Sequence, residues 1–372
     1  MKIVRRLLYA EIVRAVVFVA LAFLSLFYFF DFVAELAKGN EKGYTAAHAA
    51  IYSLLFLPGH LYELAPIAVL IGAIYALASL AQSSEFTIMR TAGLGPGRAL
   101  GALAGLGAAF AMFTFVLGDY LAPLSETQAA SFKAAFRGGF KLDRAGAWLK
   151  DKRMTPHGER SYSVNVSSAS GGGVLRNVRI FEFDADGRLL SRIAAESGKV
   201  DKDATWQLTE ASVTDWSGTA TDERAQAQVR QTRYPRLAWP STLSADVVAA
   251  AVLPLATMST LDLFRYVRHL AENEQASQRH EIQFWKRALY PFACLVMIAL
   301  ALPFAYLHAR SGGISLKVFG GIMLGISFVL LNNVASHIGL LSNWTPWLVA
   351  SAPSALYLLM SMAAFLWLVR YR

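Results

Sequence analysis

The sequence is poor in the groups that carry covalent and redox chemistry. It has one cysteine in 372 residues, so no internal disulfide can form, and Cys294, inside an apolar run, reads as a packing residue. No Gly-x-x-x-x-Gly-Lys-Ser/Thr stretch occurs: Ser197-Gly198-Lys199-Val200 lacks both the upstream glycine and the hydroxyl, which excludes ATP hydrolysis by that route. His280-Glu281 is followed by no second histidine at helical spacing, Gly-x-Ser-x-Gly is missing, and His48, His60, His157, His269, His280, His308 and His337 are scattered without a cysteine cluster. Neither a zinc protease nor a structural zinc site is encoded. Lys, Arg, Asp and Glu are also absent from the middles of six apolar windows, so no charged relay for ion-coupled transport crosses them. Work done on this chain must be powered from outside it.

What is present is apolar. Hydrophobic residues make up 55% of the chain and mean hydropathy is +0.40, yet the middle is long and polar. That combination defines a polytopic membrane protein with an inserted domain. Five windows are long enough to span a bilayer and free of charge: Leu64 to Ser84, Ala99 to Gly118, Ala288 to Leu307, Val318 to Ser336 and Thr345 to Val369. The sixth, Ala15 to Val33, holds only Asp31 near its far end, and its length and lack of a small-x-small site argue against a cleaved signal peptide. Lys2, Arg5, Arg6, Arg90, Arg98, Arg310, Lys317, Arg370 and Arg372 all fall on one side of these spans. The expectation is cytoplasmic termini and an extracytoplasmic block from about Ser125 to Glu281. The formal charge of +9 is partly this orientation signal, so no nucleic-acid partner is implied.

Between spans two and three runs Gln82-Ser-Ser-Glu-Phe-Thr-Ile-Met-Arg-Thr-Ala-Gly-Leu-Gly-Pro-Gly-Arg98. Ser83 or Ser84 is a candidate helix cap, Glu85 suits the positive dipole end, Gly93 is placed to close the helix and Pro96 to open the next. Phe86 and Met89 share one face, flanked by Glu85 and Arg90. This is the shape of a docking knob, with an ordinary capped turn as the plainer alternative.

Span one ends in Phe27-Tyr-Phe-Phe-Asp-Phe32, where Asp31 either lines a polar cavity or reaches the interface. Ala46 to Leu57 is apolar but broken by Pro58-Gly59, which predicts a helix dipping into the outer leaflet before span two. Gly101-x-x-x-Gly105 and Gly321-x-x-x-Gly325 are candidate close helix contacts. Asp119 and Pro123 are expected to end span three. From about Ala145 to Leu237 the period becomes alternating: 160–166, 174–183, 189–195, 205–208, 211–216 and 227–234 read as strands of an antiparallel sheet folded as a sandwich or half-barrel. Its expected interior is Val164, Val166, Ile180, Phe183, Leu190 and Ile193, with Trp206 and Trp216 as core aromatics. A helix capped by Ser259 or Thr260 follows, with Leu261, Phe264, Val267 and Leu270 or Ala271 as its apolar stripe. Trp285 suits an interface, and Lys38, Lys42, Lys133, Arg137, Lys286 and Arg287 are candidates to meet anionic headgroups. Asn332 and Asn333 are expected to bond to neighbouring helices. The resulting division is 1–124 for spans one to three with the docking helix at about 84–92, 125–257 for the β domain and linkers, 258–281 for a helical connector, and 282–372 for spans four to six.

This layout, over essentially the whole chain, resembles the LptF/LptG lipopolysaccharide export permeases. The matching stretches are Phe29 to Leu36, Leu80-Ala-Gln-Ser-Ser-Glu-Phe-Thr-Ile-Met-Arg-Thr-Ala-Gly93, Asp119-Tyr-Leu-Ala-Pro123 and Phe284-Trp-Lys-Arg-Ala-Leu-Tyr-Pro291. The Ser-Glu-x-x-x-Met-x-x-x-Gly core and short N terminus are nearer the LptG branch.

The resemblance implies a six-span inner-membrane protein of a Gram-negative bacterium with an inserted periplasmic all-β, jelly-roll-like domain. It implies an ABC transporter in which two LptB ATPase subunits, which bind the ATP and magnesium, drive one LptF and one LptG. LptC and the LptA bridge would receive the lipopolysaccharide extracted from the outer leaflet. By carry-over, Ser84, Glu85, Phe86, Met89 and Arg90 would form the coupling helix, with Glu85 meeting a cation of LptB and Phe86 and Met89 filling its groove. Spans one and five would form the lateral gate, and Phe27, Phe30, Phe32, Ile180 and Ile193 would lie on the acyl path. Asp31 is a departure, since some LptG members carry lysine there; Lys38, Lys42 or a partner would have to supply that cationic contact. A membrane-anchored receptor or mechanotransmitter with a ligand-binding β domain is the alternative. An apolar cavity open to the outer leaflet would favour export, and a sealed, polar-filled interior the receptor.

Overall fold

In a computed structural model of the chain, the described residues are 2–37, 44–137, 140–141, 147–156, 158–170, 174–201, 205–217, 228–241, 243, 247–248, 258–272, 277–306 and 313–370. They form two compact units, one of residues 1–39, 45–126 and 278–372, the other of 40–44 and 127–277. Lys38 and Lys42 lie outside the described residues, as does the side chain of Arg137.

The first unit holds six helices long and apolar enough to cross a membrane. These are α1 (Lys2–Ala37), α2 (Ala46–Gln82), α4 (Pro96–Val116, continued below), α7 (Gln278–Tyr306), α8 (Ile314–Leu341) and α9 (Pro346–Arg370). Helix α2 is the hub: Leu70, Ile74 and Leu77 are fully buried and belong to one cluster with Leu8 and Ile12 of α1, Leu103 of α4 and Met297 and Ala301 of α7. Its hydrophobicity runs around the whole circumference, as a helix enclosed by others requires. The expected break at Pro58-Gly59 does not occur: α2 runs unbroken through Pro58 and Pro66 for 37 residues. Of the two Gly-x-x-x-Gly pairs, Gly321 and Gly325 face α2, where a Cβ would meet Ile74 and Ile67, so that pair serves contact within the chain. A Cβ at Gly101 would meet nothing within 4 Å.

Span three also continues where an end was expected. After Val116 the helix widens into a π turn, Leu117–Leu121, and passes through Pro123 into α5 (Ala122–Arg137). The wider turn lets the chain absorb a proline that would otherwise collide with the preceding turn.

The second unit contains short β1 (Phe140–Lys141) and six long strands: β2 (Ala147–Thr155), β3 (Gly158–Ser170), β4 (Val174–Phe183), β5 (Leu189–Val200), β6 (Thr205–Ser217) and β7 (Gln228–Pro240). Strands β2 to β7 pair antiparallel with their sequence neighbours, in one meander. The runs 205–208 and 211–216 are one strand, and β2 was not among the six expected.

Along one row this sheet changes phase. Buried residues alternate up to Leu175 and resume at Val178 on β4, from Ala195 to Gly198 on β5, and from Leu208 to Ala211 on β6. Asn177, Glu196 and Glu210, which stand side by side at that row, take up the extra step; Asn177 and Glu210 have φ of 50° and 52°. Because adjacent strands slip together, pairing survives while the sheet bends. Tyr162 and Trp239, from opposite sides of the row, consequently meet with ring centroids 5.6 Å apart, and Trp239 also meets Trp206 at 5.8 Å. The guanidinium of Arg153 lies 4.2 Å from the Tyr162 ring and 4.8 Å from that of Trp239, a desolvated cation–π stack. Ser241 donates to the fully buried Asp151 at 2.9 Å.

Val164, Val166, Ile180, Ile193 and Trp206 are in this core, as expected, with Leu149 and Leu208; Phe183, Leu190 and Trp216 are only half-buried. Helix α6 (Thr260–Glu272) is capped by Ser259, whose hydroxyl accepts from Asp262 N–H at 3.2 Å and donates to its carboxylate at 2.7 Å. Its buried stripe is Leu263, Tyr266, His269 and Leu270, whereas Leu261 and Phe264 of the expected stripe are exposed.

Candidate functional site

The short helix between spans two and three is α3 (Glu85–Thr91). Its C-terminus follows from sequence: Gly93 takes φ 99°, its N–H bonds Arg90 O at 3.0 Å, and Leu94 N–H bonds Met89 O at 3.0 Å. These two bonds make the closing motif that a glycine in the left-handed region permits. Pro96 then opens α4. The other end differs from expectation. Ser84 is itself left-handed, at φ 63°, and makes no side-chain cap, while the Ser83 hydroxyl donates back to Leu80 O.

The faces of α3 are also assigned differently. Phe86 and Met89 are 2% and 5% exposed and belong to the helical core of this unit, so neither is available to fill a partner's groove. The two side chains fasten α3 to its own helices, each burial contributing roughly 1.5–3 kcal/mol. Phe86 meets Tyr306 at the end of α7 edge-on at 5.4 Å, Tyr306 meets Phe365 of α9 at 5.9 Å, and the Arg90 guanidinium lies 5.2 Å from the Tyr306 ring. The outward face is Ser84, Glu85, Ile88 and Thr91, with Ile88 65% exposed. Sequence reasoning missed Ile88; its signal is that it stands opposite the two large apolar residues, on a helix too short to bury both sides.

At the far end of the spans the polar groups pair off. Asp31 and His60 bond at 2.6 Å, joining α1 to α2, and Phe27 stacks on His60 at 4.9 Å. Asp31 is thus committed to a neighbouring helix. Phe30 is exposed, and Phe32 lies parallel to Tyr28 at 6.2 Å. Lys133 is half-buried on α5.

Arg287, expected at the membrane surface, is only 8% exposed, donates to the carbonyl of Gly118 and stands 5.7 Å from the Tyr62 ring. The reason lies in the π turn. Ala122 N–H bonds Leu117 O, so the next carbonyl in that pattern, Gly118 O, would look to residue 123, and Pro123 has no N–H. Arg287 supplies the missing donor. At Gly118 a Cβ would overlap Tyr62, so the turn, the glycine and the two side chains form one fitted unit.

Lys286 faces instead a cavity of about 330 Å³ between α2, α7, α8 and α9, lined among others by Glu63, Gln283, Asn332, Asn333 and Ser354. Asn332 was expected to bond to a neighbouring helix; its amide donates to Phe328 O of its own helix at 3.0 Å.

In the β unit, Ile180 and Ile193 pair directly across β4 and β5 within the core. A polar row borders them: Glu182 accepts from Arg160, from Ser191 at 2.7 Å and from Tyr162 at 3.3 Å. Burial, reinforced by the Glu182 carboxylate, raises the Tyr162 phenol above its ordinary value, and the Glu182 hydrogen bond raises Arg160. No group of three or more potential metal ligands occurs among the described residues.

Fold and site together define a multi-pass membrane protein with an inserted antiparallel β domain and a short helix held between its second and third spans by aromatic packing. The chain belongs to the LptF/LptG family: the family model described as lipopolysaccharide export system permease LptF/LptG matches residues 6–370. It is similar to the lipopolysaccharide export system permease protein LptG of Escherichia coli strain K12, 26% identical over 334 residues and 89% of each chain. It is also similar to the lipopolysaccharide export system permease protein LptG of Haemophilus influenzae, 26% identical over 332 residues and 88% of each chain.

Proposed function

We propose that this chain is the LptG-type half of a lipopolysaccharide exporter. It would sit in the inner membrane with both termini in the cytoplasm, and a separate LptB-type ATPase dimer would drive it. An LptF-type chain would complete the permease, with LptC and an LptA bridge beyond the β domain. The observation that carries this reading is α3. A short helix clamped through Phe86 to Tyr306, and onward to Phe365, presents Glu85 and Ile88 outward, so a push on its outer face reaches α7 and α9 through rigid aromatic contacts. The chain lacks the phosphate-binding loop to generate that push itself.

For the cargo, Phe30 and the exposed apolar face of α1 offer the lateral surface at which acyl chains would enter. Ile180 and Ile193 are covered by the folded sheet's own core, so chains would reach them only when the two halves of the sheet part. Moving acyl chains out of a bilayer costs about 0.8 kcal/mol per CH2 exposed, which is why a continuous apolar route matters. Lys38, Lys42, Lys133 and Arg137 are the cations proposed to meet lipopolysaccharide phosphates; of the two others expected there, Arg287 is withdrawn because it serves Gly118, and Lys286 because it lines the cavity between α2, α7, α8 and α9.

The test is capture of the ATPase by the purified chain with its permease partner. Ile88→Asp and Glu85→Ala are expected to lower capture at least about tenfold, a loss of ~1.4 kcal/mol or more, at unchanged thermal midpoint. Phe86→Ala is expected to lower the midpoint first, by about 3–5 kcal/mol of stability. Capture at wild-type yield by Ile88→Asp and Glu85→Ala would remove the docking assignment.

A further inference from the structure

The cavity beside Lys286 has a composition that neither the coupling helix nor the export path uses. Lys286 forms no hydrogen bond or ion pair among the described residues, and the Glu63 side chain, which lines the same cavity, forms none either. Half-buried Lys286 and exposed Glu63 line one pocket with no ion pair between them, and the second cation of the lining, Arg287, is taken up by the carbonyl of Gly118. Between them the lining offers amides from Gln283, Asn332 and Asn333 and the hydroxyl of Ser354, with Phe328 and Ala293 supplying an apolar part.

Depth along the helices is consistent. Lys286 lies eight residues from the start of α7, Ser354 eight from the start of α9 and Asn332 nine from the end of α8, about 12–14 Å in each case. Those three ends lie on one side of the membrane unit, because α7, α8 and α9 alternate in direction. Gln283 and Lys286 precede the apolar run that begins at Ala288, and Glu63 precedes the one that begins at Leu64, so these groups of the cavity lie at the membrane boundary, where lipid headgroups lie.

We propose that this cavity is a site for a single glycerophospholipid with an aminoalkyl phosphate headgroup, of the phosphatidylethanolamine type. Lys286 pairs with the phosphate, Glu63 accepts from the primary ammonium, and the amides of Gln283 and Asn333 with the Ser354 hydroxyl bond the remaining oxygens. The zwitterion answers both unpaired charges at once, which neither a purely anionic headgroup nor inorganic phosphate does. At about 330 Å³, near the lower limit for small-molecule sites, the cavity has room for one headgroup, with the acyl chains outside it. The bound lipid is a resident part of the helical unit, and the assignment stands whether or not the chain exports lipopolysaccharide.

The experiment purifies the full-length chain in mild detergent and quantifies phospholipid retained per chain after delipidating washes. Phosphatidylethanolamine, phosphatidylglycerol, inorganic phosphate and lipopolysaccharide are then added back separately. Wild-type protein is expected to keep about one phosphatidylethanolamine, as the cavity volume allows. Lys286→Met is expected to lower its affinity about tenfold, the effect of losing a charge-assisted bond, and Lys286→Arg to restore most of it. Glu63→Gln is expected to weaken phosphatidylethanolamine but not phosphatidylglycerol, because only the former carries the ammonium. Equal retention by wild type and Lys286→Met, equal protection by inorganic phosphate, or displacement by an equimolar amount of lipopolysaccharide would each overturn the proposal. Should the variants aggregate, photoactivatable phosphatidylethanolamine on wild-type protein decides it. Labelling within 283–293 and 329–333 is expected, and labelling only elsewhere on the chain refutes the site.

Discussion

At the scale of single residues, the most informative departure is Arg287. Its sequence neighbours suggested a boundary cation, and charge alone gave no reason to separate it from Lys286. The distinction arises from a backbone accounting problem three helices away in sequence. A π turn leaves Gly118 O facing a proline nitrogen without hydrogen, and the guanidinium resolves it. Asp119 and Pro123 were visible in the sequence as a matched stretch, but that they mark a widened turn rather than a terminus depends on Arg287 arriving from α7. Arg287→Met is therefore expected to destabilise the protein by about 1–3 kcal/mol, the cost of an orphaned buried carbonyl, read as a lower thermal midpoint in detergent. Lys286→Met, one residue away, is expected to leave the lipid-stripped midpoint nearly unchanged. If the two substitutions lowered that midpoint equally, Arg287 would be an ordinary boundary cation.

At the scale of elements, the helices were legible because each span is a long apolar run, and the α3 loop because Gly93 and Pro96 punctuate it. Which face of α3 points outward was not legible. Two large apolar residues three apart mark one side of a helix, but whether that side meets a partner or the chain's own core depends on Tyr306, more than two hundred residues later. In the sheet, alternation located β3 to β7 and the buried Val164, Val166, Ile180 and Ile193. The shared phase slip was readable only as an interruption that split one strand, β6, into two. Glu210 sits in the left-handed region there, exposed and at the bend, where a non-glycine residue costs about 1–2 kcal/mol and a β-branched one more. Glu210→Gly is expected to hold or raise stability by up to about 1 kcal/mol, allowing for the entropy glycine loses on folding. Glu210→Ile is expected to lower it by about 1 kcal/mol or more. Tryptophan fluorescence melts would rank the three proteins, and equal midpoints for the glutamate and isoleucine forms would mean that the bend stores no strain at this position.

At the scale of the whole molecule, the chain has a helical unit and a β unit, and the charge pattern of the short loops is the basis for proposing that α3 is cytoplasmic and the β strands are extracytoplasmic. That assignment is open to a clean chemical test because the one native thiol, Cys294, is fully buried against Thr114, 3.3 Å from its hydroxyl. A membrane-impermeant maleimide should leave wild-type cells unlabelled at this chain, so any introduced exposed cysteine reports its own side. Thr87→Cys on the exposed side of α3 is expected to react only after the inner membrane is opened. Arg192→Cys, on an exposed position of β5, is expected to react once the outer membrane alone is permeabilised. Both positions are exposed, and the contact Arg192 gives up, its guanidinium 5.9 Å from the Phe181 ring, lies at the surface, so stability should change little and the labelling pattern should reflect topology. Labelling of Thr87→Cys from outside would invert the orientation. The outward face of α3 would then be unable to meet a cytoplasmic ATPase, and the proposal that a separate motor pushes through Phe86 and Tyr306 would fall with it.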